Sequence, residues 1–379
     1  MLLKQLALFG VLVGLCVSSA AAQTIGEEGA GHFGVQLGYY DHSDGGSDGN
    51  PFLDESLTVL EPLIVFDYNV TDRMTLGATV SWDIVSSASI DRLSEFPEQS
   101  GASGDNYIGA DFSLLYQKTE NWQVGGHLGY SFEYDYSSLG VGFGANQELP
   151  DSDASMSYNI DAYFDSVDVI RYNGIEDGSD SRTSVSGTVN WYQILSPTSH
   201  GTFGVTLAQQ NGFLETPYNS VVYDEALFPT IPSEDTEELP DSRTRAALFG
   251  RVRTSISRDK AWELGGRLYS DTWGISSIAV EPRMYMTLID TKLDLRLRYR
   301  FYTQTEADDY GEHFDMPFTG DSDYRTQDSD LAAFDAHTLG TKWTWYRSKE
   351  DTWDLNLDYT MRSDGLDQVF ASIAWRWSF

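Results

Sequence analysis

From about residue 32 to the C-terminus the chain repeats one pattern, in which apolar and polar side chains take turns at every second position. The last segment shows it most plainly. Val369, Ala371, Ile373, Trp375, Trp377 and Phe379 point one way, and Gln368, Ser372, Arg376 and Ser378 the other. Between 292 and 302, Leu293, Leu295, Leu297, Tyr299 and Phe301 alternate with Lys292, Asp294, Arg296, Arg298 and Arg300. Period two marks a β-strand with two unlike faces. A soluble sandwich accommodates one such strand. A row of arginines is costly to bury in a dry core, however, and it suits a barrel with a wet interior.

The alternation predicts sixteen strands, at 32–42, 55–70, 74–87, 105–117, 122–136, 138–147, 156–170, 182–194, 201–213, 243–257, 261–273, 275–288, 292–304, 337–347, 352–362 and 366–379. The connectors sort by length. Thr71-Asp72-Arg73, Lys118–Asn121, Arg258-Asp259-Lys260, Ile289-Asp290-Thr291 and Ser348–Asp351 are tight turns. The long connectors, 43–54, 88–104, 171–181, 214–242 and 305–336, all follow odd-numbered strands. Short periplasmic turns alternating with long outer loops are the habit of an antiparallel up-and-down transmembrane barrel. The expected fold class is therefore all-β, a single barrel domain over 32–379 after a short lead at 23–31.

Aromatic residues gather at the turn ends of these strands: Phe66, Tyr68, Tyr116, Trp122, Trp191, Trp262, Trp343, Trp345, Trp353, Trp375 and Trp377. That is where an interfacial girdle belongs; a sandwich core is the competing reading. Composition narrows the picture further. The 379 residues carry 58 acids against 24 Lys and Arg, a formal charge of -34. Such a polyanion is a poor partner for nucleic acid. Strong acidity can signal disorder, but 22 Tyr, 19 Phe and 10 Trp are too many for that. About half of the net charge sits in 214–242 and 305–336, which hold eight and ten acids against the single Arg325.

Residues 1–22 read as a secretory signal peptide, with Lys4, an apolar run from Leu6 to Val17 and small residues Ser18–Ala22 at the cleavage site. A lipid anchor on Cys16 is the alternative, weakened by bulky Leu15 before it. Cleavage leaves an exported chain without cysteine, so no disulfide holds it.

Parity assigns a face to each charge. On the strands from 243 to 304 the inward positions include Arg251, Arg253, Arg267, Arg283, Arg296, Arg298 and Arg300. On those from 55 to 170 they include Glu61, Asp67, Asp83, Asp111, Glu133, Asp135, Asp161 and Asp165. In a closed barrel the two arcs face each other across the lumen. A transverse field of this kind orients polar solutes in a diffusion pore. The alternative is that facing charges pair and plug the barrel. Sixteen strands enclose more space than these side chains fill, which favours the pore unless a long loop folds inward.

No cofactor is expected. Six histidines, at 32, 42, 127, 200, 313 and 337, form no close pair at metal-ligand spacing. Asp44–Asp48 and Asp321-Ser322-Asp323 hint at calcium loops but lack the twelve-residue pattern with its closing Glu. His42 and His313, with Asp41, Asp44 and Asp315 nearby, are the candidates for a rim-active enzyme, yet in so acidic a chain any His has such neighbours. The expectation is a non-enzyme, a porin-like passive channel for small polar or charged solutes, monomeric or trimeric.

Several stretches are similar to a bacterial outer-membrane barrel family known as domain of unknown function 3570. They are Tyr39–Asp44, Thr71–Gly77, Asp83–Ser89, Glu133–Ser138, and Arg298–Gln304 running on to Ala307–Tyr310. The resemblance implies export to a Gram-negative outer membrane, where the partners are lipid and lipopolysaccharide. It carries no site residues. It also implies that terminal Phe379 is the signal read by the barrel-assembly machinery. Neighbouring genes in that family encode thioredoxin-like proteins and flavin transferases, which raises the alternative of an envelope scaffold for a periplasmic redox or surface partner. Any thioredoxin-like or flavin group would then belong to the partner.

Overall fold

The computed structural model describes residues 25–43, 50, 56–87, 105–228, 231–315, 318, 320 and 322–379. The strands are β1 (Gly31–Ser43), β2 (Leu57–Thr71), β3 (Met74–Ser87), β4 (Asp105–Thr119), β5 (Trp122–Phe132) and β6 (Tyr136–Leu149). They continue with β7 (Ala154–Ile170), β8 (Glu176–Ser196), β9 (Ser199–Gly212), β10 (Ser220–Phe228), β11 (Ile231–Thr236) and β12 (Ser242–Ser257). The last six are β13 (Lys260–Asp271), β14 (Ser276–Ile289), β15 (Leu293–Gln304), β16 (Phe334–Tyr346), β17 (Asp351–Arg362) and β18 (Asp367–Ser378). Each neighbour pairs antiparallel with the next, and β1 with β18, so sixteen strands close a barrel while β10 and β11 form a separate hairpin. Closure leaves no unpaired edge, which a strand in lipid cannot tolerate.

All sixteen predicted strands are present, with ends displaced by a few residues. The hydrophobic side chains of the barrel wall lie outside. Leu37, Ile64, Val80, Phe112, Leu128, Phe143, Leu207, Leu248, Leu268, Leu297, Leu339, Leu355 and Ile373 are all exposed. In water this apolar belt is costly at roughly 25 cal/mol per Å², so it specifies a lipid environment. Phe66, Tyr68, Tyr116, Trp191, Trp262, Trp343, Trp345 and Trp377 crown its short-turn end, as the girdle reading requires. Tyr39, Trp82, Tyr130, Phe132 and Tyr359 form a second belt toward the other end.

Two boundaries differ from expectation. The connector placed at 171–181 is only five residues long, because β8 starts at Glu176. The Ser/Asp-rich stretch 176–181 lacks apolar alternation, but its backbone pairs with β7 beyond the apolar belt, where no lipid demands it. Strand β5 stops at Phe132, so Glu133 and Asp135 lie in the hairpin turn before β6 instead of on a strand. The signal segment 1–22, the connector 88–104 and nearly all of 43–54 lie outside the described residues, as does the acidic stretch Asp44–Asp48.

The largest buried apolar cluster among the described residues lies at the long-loop end. Leu214, Leu239, Trp273, Ile275, Ala307 and Leu331 pack together there, with Tyr269 and Tyr310 against them. The connectors 213–241 and 305–333 interlock around this cluster. Glu238 and Arg325 exchange backbone hydrogen bonds of 3.1 and 2.8 Å, Asp224 N donates to Phe314 O at 3.0 Å, and Val222 N donates to the Gln327 side chain at 2.8 Å. Asn50, in the connector after β1, donates to Ser220 O at 2.7 Å. Because β1 and β9 stand on opposite sides of the ring, that contact carries the hairpin across the mouth. Tyr172, after β7, donates to Glu234 O at 3.2 Å and fixes another side of the cap.

Candidate functional site

The candidate site is the lumen beneath this cap. On every strand the interior face is the parity opposite the exposed apolar side chains. Arg251, Arg253, Arg267, Arg283, Arg296, Arg298 and Arg300 all occupy it, and so do Glu61, Asp67, Asp83, Asp111, Asp161 and Asp165. In the ring order, β2 and β3 stand opposite β12 and β13. The acidic and basic arcs therefore do face one another.

Pairing runs mainly along each wall, between strands that touch or lie one apart. On the basic wall Arg283 holds Glu263 at 3.0 Å and also Glu281. Arg298 bridges Glu281 at 3.0 Å and Asp358 at 3.4 Å, while Arg296 donates to Asn356 at 3.2 Å. Arg253 instead lies over the Tyr285 ring, 3.8 Å from its centroid. Arg251, Arg253, Arg267 and Arg300 have no carboxylate in ion-pairing distance among the described residues.

On the acidic wall the register does what spacing alone hides. His127 lies between Asp111 (2.8 Å) and Asp161 (3.0 Å), bridging β4 and β7. Its room comes from Gly142, where an added Cβ would fall 1.9 Å from the His127 ring nitrogen. His32 Nδ1 meets Asp67 at 2.8 Å. Glu61 and Asp83 stand buried side by side on β2 and β3 and interact electrostatically as like charges.

Toward the capped end the pairs are sealed. Arg182 is held by Asp165 at 2.7 Å and donates to the Tyr136 hydroxyl at 3.1 Å. Arg243 is hydrogen-bonded through Nε to Asp271 at 2.9 Å, with its guanidinium 4.2 Å from the Trp273 ring centroid. Arg362 joins Asp330 of the cap to Asp364. Asp135, buried in its turn, accepts a 2.7 Å hydrogen bond from Asp168 N at its backbone carbonyl.

In the cap itself Glu237 is fully enclosed. It accepts from Thr216 N at 2.8 Å and Thr326 Oγ1 at 2.6 Å. Burial, and after it the nearby Asp328, holds its carboxyl well above the usual range. Of the rim candidates, Asp44 lies outside the described residues, and the two histidines have different partners. His42 Nδ1 meets the Tyr40 hydroxyl at 3.1 Å, and exposed His313 meets Asp224 at 3.1 Å. Among the described residues no group of three or more His, Cys, Asp or Glu is disposed to hold a metal ion.

Terminal Phe379 closes the wall: its N–H and C=O bond Gly31 at 3.0 and 2.9 Å, and its exposed ring stacks on Phe66. The residues that spacing missed, His127, Arg182, Arg243, Glu263, Glu281 and Asp358, all obey the same parity rule, so the signal to find them was present.

An apolar exterior, a charged interior and a closed ladder of sixteen strands define a membrane-spanning β-barrel. The chain belongs to the family described as "Protein of unknown function (DUF3570)", which matches residues 96–369. No curated protein matches the sequence. Among solved structures it is similar to a bacterial polysaccharide outer membrane secretin, at 9% identity and a TM-score of 0.51 over 92% of this chain and 98% of that one. The CymD monoaromatic hydrocarbon channel gives 12% identity and a TM-score of 0.44 over 93% and 89%. OpdK of Pseudomonas aeruginosa, solved with vanillate, gives 7% and 0.43 over 93% and 100%. At these identities the likeness is one of fold, that of outer-membrane barrels.

Proposed function

We propose that the protein is an outer-membrane channel for small polar or charged solutes, with the short turns toward the periplasm and the interlocked loops forming its outer mouth. One observation carries the reading. Arg251 and Arg267 point into a closed barrel and are nevertheless exposed, so solvent reaches mid-lumen, where a plugged interior would have buried them. Water-filled passage between fixed charges is what a diffusion pore requires. The hairpin held by Asn50 reaches across the outer mouth, so passage of solute depends on the loops as well as on the wall.

Single-channel recording of the refolded protein in planar bilayers tests this. Discrete conductance steps are expected. Arg298→Ala with Arg300→Ala frees Glu281 and Asp358, so permeability shifts toward cations. An unaltered cation-to-anion ratio removes these residues from the conduction path. The ordered cap favours a second reading, a non-conducting scaffold for a surface partner. Absence of conductance together with recovery of one crosslinked envelope protein would decide for it.

A further inference from the structure

The basic wall is charged beyond what its own carboxylates balance. Arg283 and Arg298 are satisfied by Glu263, Glu281 and Asp358. Among the described residues Arg251, Arg267 and Arg300, on β12, β13 and β15, make no ion pair; Arg300 feels the attraction of Glu281 and, more weakly, the like charge of Arg267. Holding more guanidiniums than carboxylates on one wall is unfavourable, and the chain had acids to spare. The acids were placed on the opposite wall and in the loops.

The positions between these arginines are small. Gly265 is in register with Arg251 on one side and Glu281 on the other. Ala279 is in register with Arg267 on one side and Tyr302 on the other. Of these two small lumen-face residues Gly265 is half-buried and Ala279 buried, so the open step lies over Gly265, bordered by Arg251, Arg267, Arg300 and the Tyr302 ring, and by the Glu281 carboxylate that Arg283 and Arg298 already hold. A Cβ added at Gly265 would meet nothing nearer than 3.6 Å, so the space there is real. Arg300 lies 5.2 Å from the Tyr302 ring centroid. A guanidinium held against a ring keeps its N–H edges free for an acceptor in its plane.

We propose that Arg251, Arg267 and Arg300 form a binding site for a small organic carboxylate, seated over Gly265 with its apolar part toward Tyr302. The proposal rests on the channel reading and names the solute class. A carboxylate offers two coplanar acceptors that match the guanidinium fork, and the neighbouring ring favours an anion with an organic body over a bare inorganic one. The acidic loops repel anions, so a channel that passes them needs an interior site to draw them in.

The test uses the full-length refolded protein with benzoate as probe, inorganic phosphate as the oxyanion without an organic body, and benzylammonium as the cation of like shape. Benzoate should reduce chloride current at millimolar concentration, with phosphate and benzylammonium without comparable effect. Arg267→Gln with Arg300→Gln should weaken benzoate binding about tenfold or more, the loss expected from one charge-assisted contact. Heat-modifiable gel migration reports that the variant barrel has folded, and Arg347→Gln on an exposed turn serves as the charge control. Unchanged benzoate affinity in the double variant, preference for benzylammonium, or equal block by phosphate would each overturn the proposal while leaving a channel. If no conductance is seen, the channel reading fails by itself. Equilibrium dialysis of benzoate against the detergent-solubilised protein then decides the site, and absence of binding sinks it.

Discussion

The two ends of the lumen use the same ion pair in different surroundings. Near the cap, the Arg243 and Asp271 side chains are 5% and 0% exposed. Near the short turns, Arg376 sits 2.7 Å from Asp354 with 57% of its own side chain exposed and 8% of its partner's. At the first end the charges are dry, enclosed by Trp273 and the interlocked loops. At the second they stand in water. The barrel wall is similar at both ends, so the difference is made by the loops. Ion pairing here reports where solvent stops.

The largest effect should come from removing what makes the ends unlike. Replacing 217–236 with a short Gly/Ser linker takes away the hairpin that Asn50, Tyr172 and Gln327 hold across the mouth. Single-channel conductance should rise severalfold; an unchanged value would mean that the constriction lies elsewhere.

Next come the pairs themselves. Arg243→Ala strands the buried Asp271 and should cost about 3–5 kcal/mol. Arg376→Ala should cost about 1 kcal/mol or less, because its pair is half in solvent and Lys342 still reaches Asp354 at 3.3 Å. Denaturant unfolding in detergent micelles measures both, and equal losses would erase the comparison.

The smallest effect is a pH dependence confined to the cap. Burial and Asp328 raise the Glu237 carboxyl, so the folded cap keeps a proton that the unfolded chain gives up in the ordinary range. A raised carboxyl contributes stability at low pH and loses it as pH climbs toward the folded value. Hydrogen-exchange protection over 213–241, taken relative to the base-catalysed intrinsic rate, should therefore fall from acidic to mildly alkaline pH, and Glu237→Gln should flatten that slope. A variant with the wild-type slope would assign the dependence to another group.

Much of this was legible in the chain because a barrel in lipid repeats one constraint at every strand. The parity of Leu297 or Arg298 follows from its neighbours alone, and the structure kept it. Where that constraint lapses, so did the reading. Residues 176–181 pair beyond the lipid belt with no apolar signal, and Glu133 and Asp135 continue the parity of β5 past its end into a turn. The cap was invisible for a related reason. Its contacts join Asn50 to Ser220 and Glu238 to Arg325, pairs set by which strands stand opposite or near each other once the ring closes.

By itself the sequence determined the alternation, the strand count, the outward apolar belt and the facing of each charge, since a two-residue period leaves a side chain only two directions. Only the tertiary structure decided which charges meet. The stagger between strands brings His127 between Asp111 and Asp161, gives Arg283 and Arg298 their acids, and leaves Arg251, Arg267 and Arg300 without an ion pair among the described residues. Register is a property of paired strands and closure a property of all sixteen, and neither is written in any one of them.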